Sequence, residues 1–134
     1  MCIRDSPRAG YSKNTTELNY ENNYRYIRYA DVLLMAAEAN NRGGISDSKA
    51  QSYLNQVRSR AGVSSVNETG SALTQAIWDE RRLEFAGEGH RFFDLVRTGQ
   101  AANEISGFVA GKHEVFPIPQ TEIDISGLTQ NPGY

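Results

Sequence analysis

Between Tyr24 and Arg42 the residues Ile27, Ala30, Leu34 and Ala37 recur at a 3.6-residue spacing, and such a repeat brings apolar side chains together only on a helix. Arg28, Asp31 and Glu38 fall on other faces of the same helical wheel. Gly43 and Gly44 are expected to end the helix, because glycine weakens helix and readily takes the left-handed C-cap conformation. Ser46 or Asp47 can then cap a second helix, whose stripe is Ala50, Tyr53, Leu54 and Val57 and whose stop is Gly62. Two helices with so short a joint make an antiparallel helical hairpin, close in size to the roughly 34-residue period of tetratricopeptide units.

After a polar loop from Val63 to Gly70, Ser71 can cap a third helix with Leu73, Ala76, Ile77 and Leu83 on its apolar side, running to about Ala86. Gly87 and Gly89 predict a bend, followed by a short segment from Arg91 to Thr98 closed by Gly99. Phe92, Phe93, Leu95 and Val96 in that segment are apolar enough to be expected in a core. Pro117 and Pro119 forbid helix around Phe116 and Ile118, so an irregular, packed tail is expected beyond Gly107. Asn131, Pro132, Gly133 and Tyr134 should close it with a turn and an aromatic anchor. The expected fold class is all-α: a tetratricopeptide-like hairpin, a third long helix and an irregular Pro-containing C-terminal tail.

Of the 134 residues, 39% are hydrophobic and 22% charged, enough for one modest core. A net charge of −2 offers no basic face to gather phosphates, which argues against nucleic acid as a partner. Cys2 is the single cysteine, so neither an internal disulfide nor a cysteine zinc cage can form. No apolar run approaches the roughly 20 residues that span a bilayer. Residues 1–10 show no periodicity and are expected to be a non-native leader, leaving 11–134 as the folding segment.

The densest charge lies from Glu80 to Arg97. Glu84 and Glu88 stand four residues apart, the spacing of neighbours on one helix face. A glycosidase instead needs two carboxyls facing each other across a bond, roughly 5 to 10 Å apart and differently housed. Arg81, Arg82, Glu84, Glu88, His90, Arg91, Asp94 and Arg97 are therefore expected to form a structural network of ion pairs and hydrogen bonds, holding the third helix and its bend against the hairpin. No catalytic residue is expected. His90 and His113 lack a helical His-to-His spacing, so no metal and no cofactor is expected either. Trp78, Tyr20, Tyr24, Tyr26 and Tyr29 have the flat faces that sugars stack on. Their positions favour core or semi-core packing for Tyr26 and Tyr29 and an interhelix anchor for Trp78. The triplets Asn14–Thr16 and Asn67–Thr69 match the glycosylation pattern by chance frequency alone.

Several strings occur in a fixed order: Tyr29 to Met35 with Ala37 to Ala39; Leu54 to Arg58 with Arg60, Ala61 and Gly62; Glu80 to Glu84; Glu88 to Arg91; Asp94 to Arg97 with Gly99; Phe116 to Gln120; and Gln130 to Tyr134. From Tyr24 to Tyr134 the chain thus resembles the C-terminal part of SusD/RagB family proteins. The resemblance implies a cell-surface lipoprotein on the outer face of a bacterial outer membrane. It also implies oligosaccharide capture without catalysis, in partnership with a SusC-like TonB-dependent transporter. In such proteins the ligand contacts come largely from regions outside this segment. The resemblance also implies a signal peptide and a lipid-acceptor cysteine, and Cys2 is not expected to be that cysteine, since no apolar segment precedes it. Membrane attachment would run only through that lipid anchor. Two rivals remain: a generic tetratricopeptide-like scaffold that binds another protein, and a hydrolase using Glu84 or Glu88.

Overall fold

The computed structural model describes residues 26–134. Cys2, the leader at 1–10, the triplet Asn14–Thr16, Tyr20 and Tyr24 lie outside the described residues. Among the described residues the regular elements are all helices, with no strands, in the order α1 (Tyr29–Arg42), α2 (Asp47–Arg60), α3 (Gly70–Glu84), α4 (Arg91–Arg97), α5 (Ala101–Glu104) and α6 (Gln120–Ser126). It divides into two compact units, one ending at Ala86 and the other running Gly87–Tyr134.

In the first unit α1 packs on both α2 and α3. Its buried stripe is Ala30, Leu33, Leu34 and Ala37, which meets Ala50, Leu54 and Val57 of α2 and Leu73 and Ile77 of α3 in one apolar cluster. Tyr53, Val66 and Ala76 border this cluster, and Phe85, the residue just past α3, closes it. The helix begins later than the periodicity predicts. Arg28 is extended, at φ −113° and ψ 158°, so Ile27 precedes the helix and stays exposed. Asp31 and Glu38, placed by the wheel on other faces, are buried at the edge of the stripe.

Ser46 is the N-cap of α2, its hydroxyl accepting from the Lys49 amide at 3.2 Å. Asp47 caps another helix instead: its carboxylate accepts from the Gly70 amide at 2.7 Å, at the start of α3. The Asn41 amide group donates to Asp47 at 2.7 Å and to the Gly70 carbonyl at 3.1 Å, while the Thr74 hydroxyl donates to Asn41. Two of these bonds bring backbone groups of α3's first turn into the α1–α2 joint, and this explains why α3 starts at Gly70 and not after Ser71. A positive φ of 56° at Gly70 makes glycine the fitting residue there.

The loop between α2 and α3 folds back along α2. Asn55 brackets it with two bonds, donating to the Val66 carbonyl at 2.9 Å and accepting from the Val66 amide at 2.8 Å. Gln51 donates to the Glu68 carbonyl and Arg58 to the Ser64 carbonyl. The return path sets α3 parallel to α2 and antiparallel to α1. Leu83 faces solvent at 71% exposure, and Phe85 takes the buried place expected for it.

In the second unit Gly87 and Gly89 both have positive φ, and α4 follows the bend. Leu95 is buried, Phe92 and Val96 are half-buried, and Phe93 is exposed, so only part of the expected apolar set is covered. Phe92, Phe108 and His113 form a chain of ring contacts. The tail is less irregular than predicted, because α6 begins immediately after Pro119, whose fixed φ suits a helix start. Side-chain amides hold the rest: Gln130 exchanges two bonds with the backbone of Ile118, and Asn131 donates to the Phe116 carbonyl. Tyr134 does act as an anchor within this unit, its hydroxyl donating to the Val115 carbonyl at 3.0 Å and its ring lying under the Lys112 ammonium.

If the three-helix cluster is the core, Leu54→Ala should cost about 2–5 kcal/mol in urea unfolding of the chain. Leu83→Ala should stay within about 0.5 kcal/mol.

Candidate functional site

The end of the first unit opposite the α1–α2 joint gathers most of its charge. Asp31 on α1 accepts from Arg81 on α3 at 2.6 Å, with both side chains almost wholly shielded from water. Glu80 pairs with Arg58 of α2. Glu84 receives Arg28 at 2.8 Å on one oxygen and Arg60 on the other, and its backbone carbonyl takes a further bond from Arg28 at 3.0 Å. All three helices are therefore joined through carboxylates at one end. The guanidinium groups of Arg28 and Arg81 also lie over the Phe85 ring, 4.7 and 5.2 Å from its centroid.

Burial alone would raise the pKa of Glu84. Hydrogen bonds from Arg28 and Arg60, with the charges behind them, outweigh it and hold the carboxyl below its ordinary 4.5. A group so held is ionised at neutral pH and has no proton to give as a general acid. Asp47, at the other end, is also lowered, first by the Gly70 amide and then by Asn41.

The residues expected to act as one network are distributed over both units. Arg81 and Glu84 join α3 to α1 and α2, whereas Arg82 is exposed. Helix α3 ends at Glu84, so Glu88 does not share a helix face with it. Glu88 and His90 are half-buried at the bend. Arg91 pairs with Glu104 at 3.2 Å and Arg97 with Asp94 at 2.8 Å, both inside the second unit. The sequence reading missed Asp31, Arg28, Arg58, Arg60 and Glu80. Their signal is the charge that interrupts each helix's apolar side, which pattern alone does not assign to pairing or to solvent.

Among the aromatic candidates, Tyr26 and Tyr29 are exposed, contrary to the core placement expected, because the helix starts only at Tyr29 and its wheel turns that ring outward. Trp78 is half-buried with the Arg42 guanidinium of α1 over its ring, as an interhelix contact requires. Its indole N–H is buried and finds no hydrogen-bond partner among the described residues. Beside α1 and α2 runs an open groove of about 990 Å³, with Ala30, Leu33 and Val57 as floor and Tyr29, Ser52, Gln56 and Arg60 along its sides. Among the described residues no cluster of His, Cys, Asp and Glu could hold a metal, and no helix is long and apolar enough to cross a membrane.

The SusD family model matches residues 3–134. The chain belongs to the SusD family. Its relatives include SusD-like protein P2 of Formosa agariphila, 34% identical over an alignment that covers 84% of this chain and 26% of the relative. Among solved structures, a SusD homolog from Bacteroides thetaiotaomicron superposes with a TM-score of 0.72 at 37% identity, covering 79% of this chain and 24% of that one. Surface glycan-binding protein A from Bacteroides uniformis superposes with a TM-score of 0.68 at 39% identity, covering 84% and 28%. This SusD-family chain thus spans about a quarter of the length of the relatives it matches.

Removing one member of the shielded Asp31–Arg81 pair strands a buried charge, so Arg81→Ala should cost about 3–5 kcal/mol in urea unfolding. For Glu84 the folded pKa lies below the unfolded one, so its contribution is complete above about pH 4.5 and disappears as pH falls through the lower folded value. The difference in melting temperature between wild type and Glu84→Gln should therefore be largest near neutrality and shrink as pH falls below about 4.5. A difference that is constant with pH would remove this role from Glu84.

Proposed function

We propose that the full-length protein captures oligosaccharides at the cell surface without cleaving them, and that the present segment supplies scaffold. The observation that carries this reading is the likeness to a surface glycan-binding protein, at 39% identity over 84% of the chain. The site chemistry supports it. The well-shielded carboxylates Asp31, Glu80 and Glu84 are each committed to arginines, which suits cross-linking of helices and not the paired, separately tuned acids of glycoside hydrolysis. Arg81 and Glu84, with Arg28, Asp31, Arg58, Arg60 and Glu80, form the structural network of the first unit; Arg91, Asp94 and Arg97 serve the second unit in the same way.

The family resemblance further supports a lipid-anchored position on the outer face of the outer membrane, beside a SusC-like TonB-dependent transporter. Glycan contacts then come mainly from the three quarters of the protein outside this segment.

Full-length protein titrated with a panel of oligosaccharides should give saturable heat of binding, and chromatography of the same mixtures should show no shorter products. Cleavage would overturn the reading in favour of a hydrolase. Affinity capture from envelope extracts should bring down a TonB-dependent transporter, and its absence would favour a general protein-interaction scaffold.

A further inference from the structure

Between α5 and α6 the chain makes a tight turn at residues 109–114, and two of its backbone amides are closed by side chains that bind protons. The Val109 amide donates to Nδ1 of His113 at 3.0 Å, and the Gly111 amide donates to Oε1 of Glu114 at 3.0 Å. The Val109 carbonyl in turn accepts from the amides of Lys112 and His113, at 3.2 and 3.0 Å. Val109 and His113 thus hold each other by two bonds, one of them through the ring. A ring nitrogen that accepts carries no proton, so neutral His113 is the tautomer with its hydrogen on Nε2.

Protonation reverses the chemistry at Nδ1. An imidazolium donates from both nitrogens and accepts at neither, so the Val109 N–H would then face another N–H. The charged groups of the turn are Lys112 and Glu114, while Phe108, which meets the His113 ring nearly at right angles, is uncharged. Glu114 stays ionised well into acid, because the Gly111 amide and then its own amide outweigh desolvation and hold its carboxyl below the ordinary 4.5, with a smaller contribution from the His113 charge. The turn also serves as a seat. The Lys112 ammonium lies over the Tyr134 ring, and a Cβ added at Gly133 would come within 3.0 Å of the Lys112 side chain. Just past the turn, the Val115 carbonyl accepts from the Tyr134 hydroxyl and the Phe116 carbonyl from Asn131. We propose that His113 is an acid-operated catch: neutral, it closes the turn beneath residues 131–134, and protonated, it releases the Val109 amide and loosens that seat.

The test is amide hydrogen exchange of the full-length protein, resolved to single amides by mass spectrometry and divided by the intrinsic rate at each pH. Histidine is the side chain that ordinarily changes charge between about pH 5 and 8. Lowering the pH from about 8 to about 5 should reduce protection of the Val109 amide about three- to tenfold, the effect of losing one hydrogen bond, while the α1 backbone keeps its protection. His113→Asn puts an amide oxygen where Nδ1 stands and does not titrate, so Val109 should stay protected at both pH values. His113→Phe keeps a ring without an acceptor and should show the low value at both. Unchanged protection in wild type would overturn the proposal, as would an equal fall in His113→Asn or a fall shared by α1. Nitrogen NMR of ring-labelled histidine gives a second check: neutral His113 should carry its proton on Nε2, and a proton on Nδ1 would overturn the proposal.

Discussion

Asp31, Glu80 and Arg81 lie within the packed part of the first unit, each at least nine-tenths shielded from water, and this is the constraint on which its architecture depends. Moving a charge out of water costs several kcal/mol, and the cost is offset only where a partner of opposite sign is held at hydrogen-bond distance. Arg81 reaches Asp31 and Glu80 reaches Arg58 only if α1, α2 and α3 keep one register along their axes. The apolar stripes by themselves tolerate some sliding, since one leucine contact resembles the next. The charged end and the Asn41–Asp47 joint fix both ends of that register, which gives a small core a single arrangement.

Local pattern reaches a definite depth here. Leu34, Leu54, Leu73 and Ile77, the deepest side chains, were legible from period alone, because burial on one helix side is what a 3.6-residue repeat encodes. Helix ends were less legible. The start of α3 is set by Asp47, twenty-three residues upstream, and no local capping rule contains that bond. Leu83, expected on the apolar side, is exposed and Phe85 is buried in its stead because α3 ends at Glu84 and the chain turns there, a choice made by tertiary packing. Charged residues were the hardest to place: Asp31 reads as surface on any wheel until Arg81, fifty residues away, is seen beside it.

The tail shows a related limit. Proline correctly excludes helix around Ile118, yet the same residue type opens α6 one position after Pro119. The amide side chains of Gln130 and Asn131 stand in for the missing ladder partners of the extended stretch, and such side-chain pairing leaves no periodic trace in the sequence. SusD-family membership, by contrast, was legible from ordered strings that span both units, since recognition of that kind needs no knowledge of which residues touch.

The backward run of the loop between α2 and α3 has a mechanical consequence. Because α3 returns parallel to α2, the first unit is entered near Arg28 and left near Phe85 at the same end, and the two bonds from Arg28 to Glu84 close that gate. Tension applied between the two ends would therefore fall on this polar clasp before it reached the leucines behind it. The helices would peel apart from one end, a path that yields at lower force than sliding them lengthwise past each other.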